Sequence, residues 1–219
     1  MIKKIISEFL GTYFLVFTAT GAIMVNEMTH RLTHVGEAIA SGFVLTALIY
    51  AYSHISGALF NPAVTIAFFI NQKISKVELI VFVLTQIVAS MFASVTLLIL
   101  FGNIASLGST NPIGTWNQSF LLEFILTFFL ITVILHSSFS PKAFRPFSGI
   151  AVGFTNCIES MFGGPISGAS MNPARSIGPA LISGNIHFLW IYILSPLIGG
   201  FLAALIYKVM QKQSSIPKS

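Results

Sequence analysis

Charge is what this sequence has least of. Lys and Arg number 11 and Asp plus Glu number 6, together 8% of 219 residues, and all six acids are glutamates. A soluble domain carries roughly 25% charged residues. So few charges cannot cover a water-facing surface, which excludes a soluble enzyme or a nucleic-acid-binding domain. The single cysteine, Cys157, excludes an intrachain disulfide and any cysteine-based metal cluster. No His/Cys/Asp set has metal-ligating spacing, and no Ser/His/acid set is spaced for catalysis. No catalytic residue, metal site or cofactor is therefore expected.

What is present is apolar. Hydrophobic residues make up 55% of the chain, with 21 Phe, and mean hydropathy is +0.88. Six segments are long enough to span a bilayer: 5–25, 36–52, 78–101, 120–138, 147–162 and 187–207. The first resembles a leader, because Lys3 and Lys4 precede it and small residues follow at 19–22. Glu8 inside it and its span length favour a transmembrane helix. Two shorter apolar pieces, 61–70 and 172–182, remain. Ten residues of helix reach only ~15 Å, about half of the hydrocarbon thickness, so neither piece crosses alone.

The chain repeats itself. Ile-Ser-Gly-Ala-Leu-Phe-Asn-Pro-Ala at 55–63 recurs as Ile-Ser-Gly-Ala-Ser-Met-Asn-Pro-Ala at 166–174, seven of nine positions identical at an offset of 111. Glu8-Phe-Leu-Gly-Thr12 recurs as Glu123-Phe-Ile-Leu-Thr127, at an offset of 115. Each half, about 5–101 and 120–207, therefore holds three spans and one half-span. Three is odd, so the second half enters from the opposite side and the repeat is inverted. The expected architecture is an all-α membrane protein of one domain, 1–219, with six transmembrane helices and two half-helices. Positive charge tests this topology. Lys3, Lys4, Lys73, Lys76, Lys142, Arg145, Lys208, Lys212 and Lys218 fall on one side, and Arg31 alone falls in the opposite loops. That bias puts both termini in the cytoplasm, and the net charge of +5 reflects topology.

Asn followed by Pro starts a helix: Asn caps, and Pro at the first position loses no hydrogen bond. Asn61-Pro62-Ala63 and Asn172-Pro173-Ala174 thus begin the half-helices. If they meet head to head at the midplane, two positive dipole ends face one point. Each Asn, its oxygen capping, keeps an NH2 group to hold a passing water by its oxygen. That orientation interrupts a proton wire while the dipoles repel cations. Arg175, where the first half has Val64, opposes its own helix dipole at membrane depth, costing at least ~2.5 kcal/mol, which points to function. Glu8 and Glu123 fit two roles, a proton relay or acceptors for the backbone N–H groups of the loops before the half-helices.

These residues resemble the aquaporin, or major intrinsic protein, family. The resemblance runs from residue 5 to about 207 and rests on the paired Asn-Pro-Ala boxes, Arg175, the twin Glu and His54-Ile-Ser-Gly57. It implies a right-handed six-helix bundle, usually a homotetramer with one pore per subunit, passing small neutral solutes and excluding protons. It also implies that Glu8, Glu123 and His54 support the loops. The sequence 164–179 and Trp190-Ile-Tyr-Ile193 are similar to the nodulin-like branch of plant aquaporins and its bacterial relatives, and the chain reads as a bacterial-type member. Ser176 stands where glycerol facilitators typically place Asp.

The family's four-residue selectivity constriction falls here on Ser41, Ser160, Ala169 and Arg175. Water-specific members usually have Phe and His at the first two positions. Two Ser and an Ala imply a wider, more polar ring, similar to members that pass arsenous, silicic or boric acid and glycerol besides water. The alternative for Ser41 and Ser160 is helix packing. Leu59 replaces a common His and makes the wall more apolar. Glu159 either anchors the loop 163–171 or weakens the positive barrier at Arg175. Cys157 is a buried packing residue or a mercury-sensitive pore thiol, and Gly149 and Gly153 allow close helix crossing. The competing readings are a predominantly water-selective pore and, because inverted repeats and broken helices also build them, an ion-coupled secondary transporter.

Overall fold

The computed structural model describes residues 1–139 and 145–214, with side chains as far as residue 211. Lys142, Lys218 and the side chain of Lys212, three of the basic groups placed by the topology, lie outside the described residues.

Among the described residues all regular structure is helical, as an apolar chain that must satisfy its own backbone groups in lipid requires. The long helices are α1 (Ile2–Thr29), α2 (Thr33–Tyr52), α4 (Lys76–Phe101), α6 (Trp116–Ser138), α7 (Ser148–Ser167) and α9 (Leu189–Ser214). The half-helices are α3 (Pro62–Ile70) and α8 (Pro173–Ser183), and α5 (Ala105–Gly108) is a single turn with Ser106 and Leu107 in the left-handed region. All six predicted spans and both half-spans are present. Several run longer than the apolar pattern alone suggests. The α1–α2 connection shrinks to three residues because His30 turns the chain at φ 52. Helix α4 begins in a capping box: Glu78 N–H donates to Ser75 Oγ at 3.2 Å and Ser75 N–H to Glu78 Oε2 at 2.8 Å. Lys4 Nζ donates to Glu78 Oε1 at 2.6 Å, which sets the starts of α1 and α4 at one end of the bundle.

Among the described residues five helices, α1, α2, α4, α6 and α9, are long and apolar enough to cross a membrane. Helix α7 matches them in length but carries Thr155, Asn156, Glu159 and Ser160, and three of these are buried. Of these, Asn156 and Ser160 line cavities inside the bundle.

Packing follows the repeat. Helix α1 packs on α2 and α4, and its counterpart α6 packs on α7 and α9. Half-helix α8 lies on α4, α3 lies on α9, and α2 crosses α7. The main core gathers around the half-helix starts, with Phe60, Ala63, Met171, Leu126 and Ile131 buried. The α2–α7 crossing is close. A Cβ added at Gly42 would sit 2.5 Å from both Cys157 Cβ and the Gly153 carbonyl oxygen. Gly153 and the buried Cys157 are thus packing residues of this crossing.

Gly42→Val should lower Tm in detergent micelles, since overpacking a close crossing costs typically ~1–3 kcal/mol. Phe43→Leu on the exposed side of the same helix should leave it nearly unchanged. A differential scanning measurement on the two purified variants checks this.

Candidate functional site

Two stretches of non-helical backbone reach into the middle of the bundle, one before each half-helix. Backbone N–H groups there have no water to turn to, and buried carboxylates take them. Glu8 accepts from Leu59 N–H at 3.0 Å and Phe60 N–H at 2.9 Å. Glu123 accepts from Ser170 N–H at 2.8 Å and Met171 N–H at 2.9 Å. Ser56 Oγ donates to Glu8 at 2.6 Å and Ser167 Oγ to Glu123 at 2.7 Å. Gln86 Nε2 adds a bond to Glu8 at 2.8 Å. Of the two roles the sequence left open, these bonds are those of a loop anchor.

The loops follow one path. Gly57, Ala58 and Phe60 have positive φ, and so do Gly168, Ala169 and Met171. Each non-glycine residue held there costs of order 1–3 kcal/mol, and the carboxylate bonds hold it. The path turns the carbonyls of Phe60 and Met171 toward the opposite half. Asn61 Nδ2 donates to the Met171 carbonyl at 2.8 Å, and Asn172 Nδ2 donates to the Phe60 carbonyl at 3.0 Å. Their oxygens cap their own helices, Asn61 Oδ1 accepting from Ala63 N–H at 2.8 Å and Asn172 Oδ1 from Ala174 N–H at 3.0 Å. The half-helices therefore meet start to start. An amide nitrogen has two N–H bonds, so one remains on each Asn beyond this crossed pair. Both asparagines line a cavity of about 310 Å³.

This cavity runs from Phe139, Arg145 and Ser148 past Leu59, Asn61 and Asn172 to Ser41, Ala169 and Arg175. A smaller cavity of about 80 Å³ continues beyond it, lined by Ser160, His34 and Glu37 among others. Ala19, Ser41, Ala169 and Arg175 line both, so the two open onto one neck. The structure thus brings together all four residues that the resemblance named as a ring, with Ser160 on the outer side only. Leu59 gives the inner wall the apolar surface expected of it.

Arg175 is buried and its Nη1 donates to the Gly108 carbonyl at 2.8 Å. The loop around α5 folds over the half-helix to supply that oxygen, anchored by the buried Leu107 against Met24 and Leu97. Glu123, Tyr192 and Glu37 are within electrostatic reach of the guanidinium. One carbonyl and nearby carboxylates therefore offset part of the cost of this burial. A hydroxyl chain steadies the same turn, Thr110 Oγ1 to Ser176 Oγ at 2.8 Å and Ser176 Oγ to Ser170 Oγ at 2.6 Å.

Asn156 was not foreseen. It lines the inner cavity and donates from Nδ2 to Ser41 Oγ at 3.0 Å. The repeat offset of 115 pairs it with Ser41, a signal that was available. His54, expected to support the loop, is exposed in the turn after α2 and makes no hydrogen bond found among the described residues. Ser56 makes the bonds to Glu8 and to Ala58 N–H. Glu159 anchors no loop: both of its carboxylate oxygens are buried without a hydrogen-bond partner. The loop 163–171 is held by Glu123. Cys157 lies at the helix crossing and lines neither cavity.

Comparison with known proteins agrees with this geometry. Residues 1–207 match the major intrinsic protein family. Nodulin-26 of Glycine max is 43% identical over 212 residues, covering 96% of this chain and 78% of its own. Aquaporin NIP1-1 of Zea mays is 41% identical over 212 residues, covering 96% and 75%. The solved aquaglyceroporin of Plasmodium falciparum superposes with a TM-score of 0.83 at 22% identity, over 97% of this chain and 98% of that one. The chain belongs to the major intrinsic protein family, has the aquaporin fold, and is a multi-pass membrane channel for water and small neutral solutes, not an enzyme.

The two buried glutamates of the second half should respond oppositely to substitution. Glu123→Leu leaves two backbone N–H groups unpaired, at about 1–3 kcal/mol each, so it should abolish stable protein or sharply lower Tm. Glu159→Gln or Glu159→Leu removes a carboxyl that makes no bond and should hold or raise Tm. Size-exclusion profiles and thermal unfolding of the three variants check this.

Proposed function

We propose that this channel favours small hydroxylated solutes, metalloid hydroxides such as arsenous, silicic or boric acid and glycerol, alongside water. The observation that carries the proposal is the composition of the neck: Ser41, Ala169 and Arg175 line both cavities and Ser160 lines the outer one. Small side chains leave width, and hydroxyl and guanidinium groups offer hydrogen bonds to a compact solute ringed with OH groups. The nodulin-like relatives and the aquaglyceroporin likeness support this solute class. A passive pore needs no coupling ion, which separates it from a secondary transporter.

In this reading Asn61 and Asn172 direct their remaining N–H bonds at a passing oxygen, and Pro62, Ala63, Pro173 and Ala174 keep the helix starts slim. Two half-helix dipoles and Arg175 then exclude cations and protons. The functional unit is one channel domain, 1–219, with repeats at about 5–101 and 120–207. It assembles as a homotetramer in the plasma membrane with both termini in the cytoplasm, as the family resemblance and the Lys/Arg bias suggest. The plant relatives support the nodulin-like branch; the bacterial-type reading of the chain rests on the sequence resemblance.

Stopped-flow measurements in proteoliposomes, with water, glycerol, urea and the three metalloid acids, test the proposal. Flux of the hydroxylated solutes without an ion gradient is expected. Water flux alone would favour a water-selective pore. Ser41→Phe with Ser160→His should cut glycerol and metalloid flux far more than water flux, because ring bulk blocks the wider solutes. Equal retention of all fluxes would mean these serines do not border the path.

Arg175→Val removes the fixed positive charge of the neck. Cation and proton leak should rise, read with a pH-sensitive dye in liposomes, and wild type should show proton flux far below water flux. A folded Arg175→Val channel with unchanged leak and selectivity would place Arg175 outside the path.

A further inference from the structure

The outer cavity holds a carboxylate that the four-residue ring does not include. Glu37, one helical turn before Ser41 on α2, lines the same space as Ser160 and Arg175. Its position owes nothing to helix capping, since α2 has no acidic residue in its first turn. Its side chain is 16% exposed, and one hydrogen bond holds it. Asn26 Nδ2, from the end of α1, donates to Oε1 at 2.7 Å. Asn26 is itself fixed, because its Oδ1 accepts from Thr33 N–H at 2.8 Å. His34 Nδ1 stands 3.5 Å from Oε2, and the other ring nitrogen of His34 lies 3.1 Å from the Met161 carbonyl on α7. The carboxylate is therefore set at the mouth by Asn26, with the His34 ring beside it.

The chemistry of the neck gives this placement a use. Arg175 has only donors, and one of them is engaged with the Gly108 carbonyl. The Ser41 oxygen already accepts from Asn156. A solute carrying several hydroxyls brings O–H donors as well as oxygens, and besides the Ser41 and Ser160 hydroxyl oxygens the lining offers it the Glu37 carboxylate. An ionised carboxylate accepts at about four lone-pair positions, and Asn26 takes one of them. Glu37 is also within electrostatic reach of Arg175, so the mouth presents a fixed positive group and a fixed negative group facing one small space.

We infer that Glu37 is a specificity-determining residue of this channel: the acceptor that, opposite Arg175, selects polyhydroxylated neutral solutes at the outer cavity. A triol or metalloid hydroxide bridges the pair, donating an O–H to Glu37 while another oxygen accepts from Arg175. Water makes either contact singly and gains less. This inference rests on the channel reading above.

The test compares wild type, Glu37→Gln and Glu37→Leu in proteoliposomes, with glycerol and boric acid as probes and water as the internal reference. Glu37→Gln keeps an oxygen acceptor and a partner for Asn26. Glu37→Leu removes both. The expected result is a fall of about threefold or more in the glycerol-to-water and boric-acid-to-water permeability ratios for Glu37→Leu, the factor of one net hydrogen bond, with a smaller change for Glu37→Gln. Unchanged ratios in Glu37→Leu would overturn the inference. So would a parallel fall of water and solute fluxes, which would make Glu37 only a tie between α1 and α2. A wild-type protein that passes neither water nor solute would overturn the channel reading itself, and that outcome is distinct from either.

Discussion

Non-helical backbone in the middle of a membrane must find its hydrogen-bond partners inside the protein, and here two carboxylates meet that requirement. Glu8 and Glu123 each take two consecutive loop N–H groups and one serine hydroxyl. Everything at the centre follows from those bonds. They hold Ala58, Phe60, Ala169 and Met171 in the left-handed region. That backbone path aims two carbonyls across the twofold, and the crossed asparagine bonds then fix where the half-helices begin. A charged group buried in a membrane bundle is commonly a sign of transport chemistry. In this chain the two matched ones are structural, and the chemistry of selection lies elsewhere.

Selection lies where the repeat is broken. The frame is nearly symmetric, with equal caps, equal loops and equal packing pairs, and a symmetric frame alone offers no preferred end. Arg175 stands where the first half has Val64, and Asn156 stands where the first half has Ser41. Gly108 reaches over the second half-helix and pins the guanidinium. The narrow neck between the cavities therefore sits on one side of the asparagine pair, nearer the second half-helix and the α5 loop.

Much of this was legible in the residues. The Asn-Pro-Ala boxes, the paired Glu and the apolar runs defined six spans, two half-spans and their inversion, because each is a local signal or a repeat. Ser41, Ser160, Ala169 and Arg175 could be brought to one ring only through the family register, since nothing local links positions on three different helices and a loop. Asn156, His34 and Glu37 escaped notice because their meaning depends on which helices cross. So did the Gly108 carbonyl, as backbone acceptors leave no mark on composition. His54 was expected to support the loop through the family resemblance, yet the side chain that bonds is the serine two positions on. Glu159 was suspected of bonds that the fold does not make, because a buried carboxyl in a sequence implies partners that only packing can supply.

The crossed asparagine amides also bear on how the chain is assembled. The amide of Asn61 donates to a carbonyl 110 residues further along, and that of Asn172 reaches back 112. When the first half has been synthesised, its re-entrant loop has its carboxylate but not its opposite number, and the Phe60 carbonyl and one Asn61 N–H remain without partners in lipid. The long helices of that half can enter the membrane by themselves, since their backbone bonds are internal. The start of α3 gains its last bonds from the loop before α8, and the start of α8 gains its own from the loop before α3. The repeat is thus a unit of sequence, while the bonds at its centre belong to both halves together and exist only once both are in place.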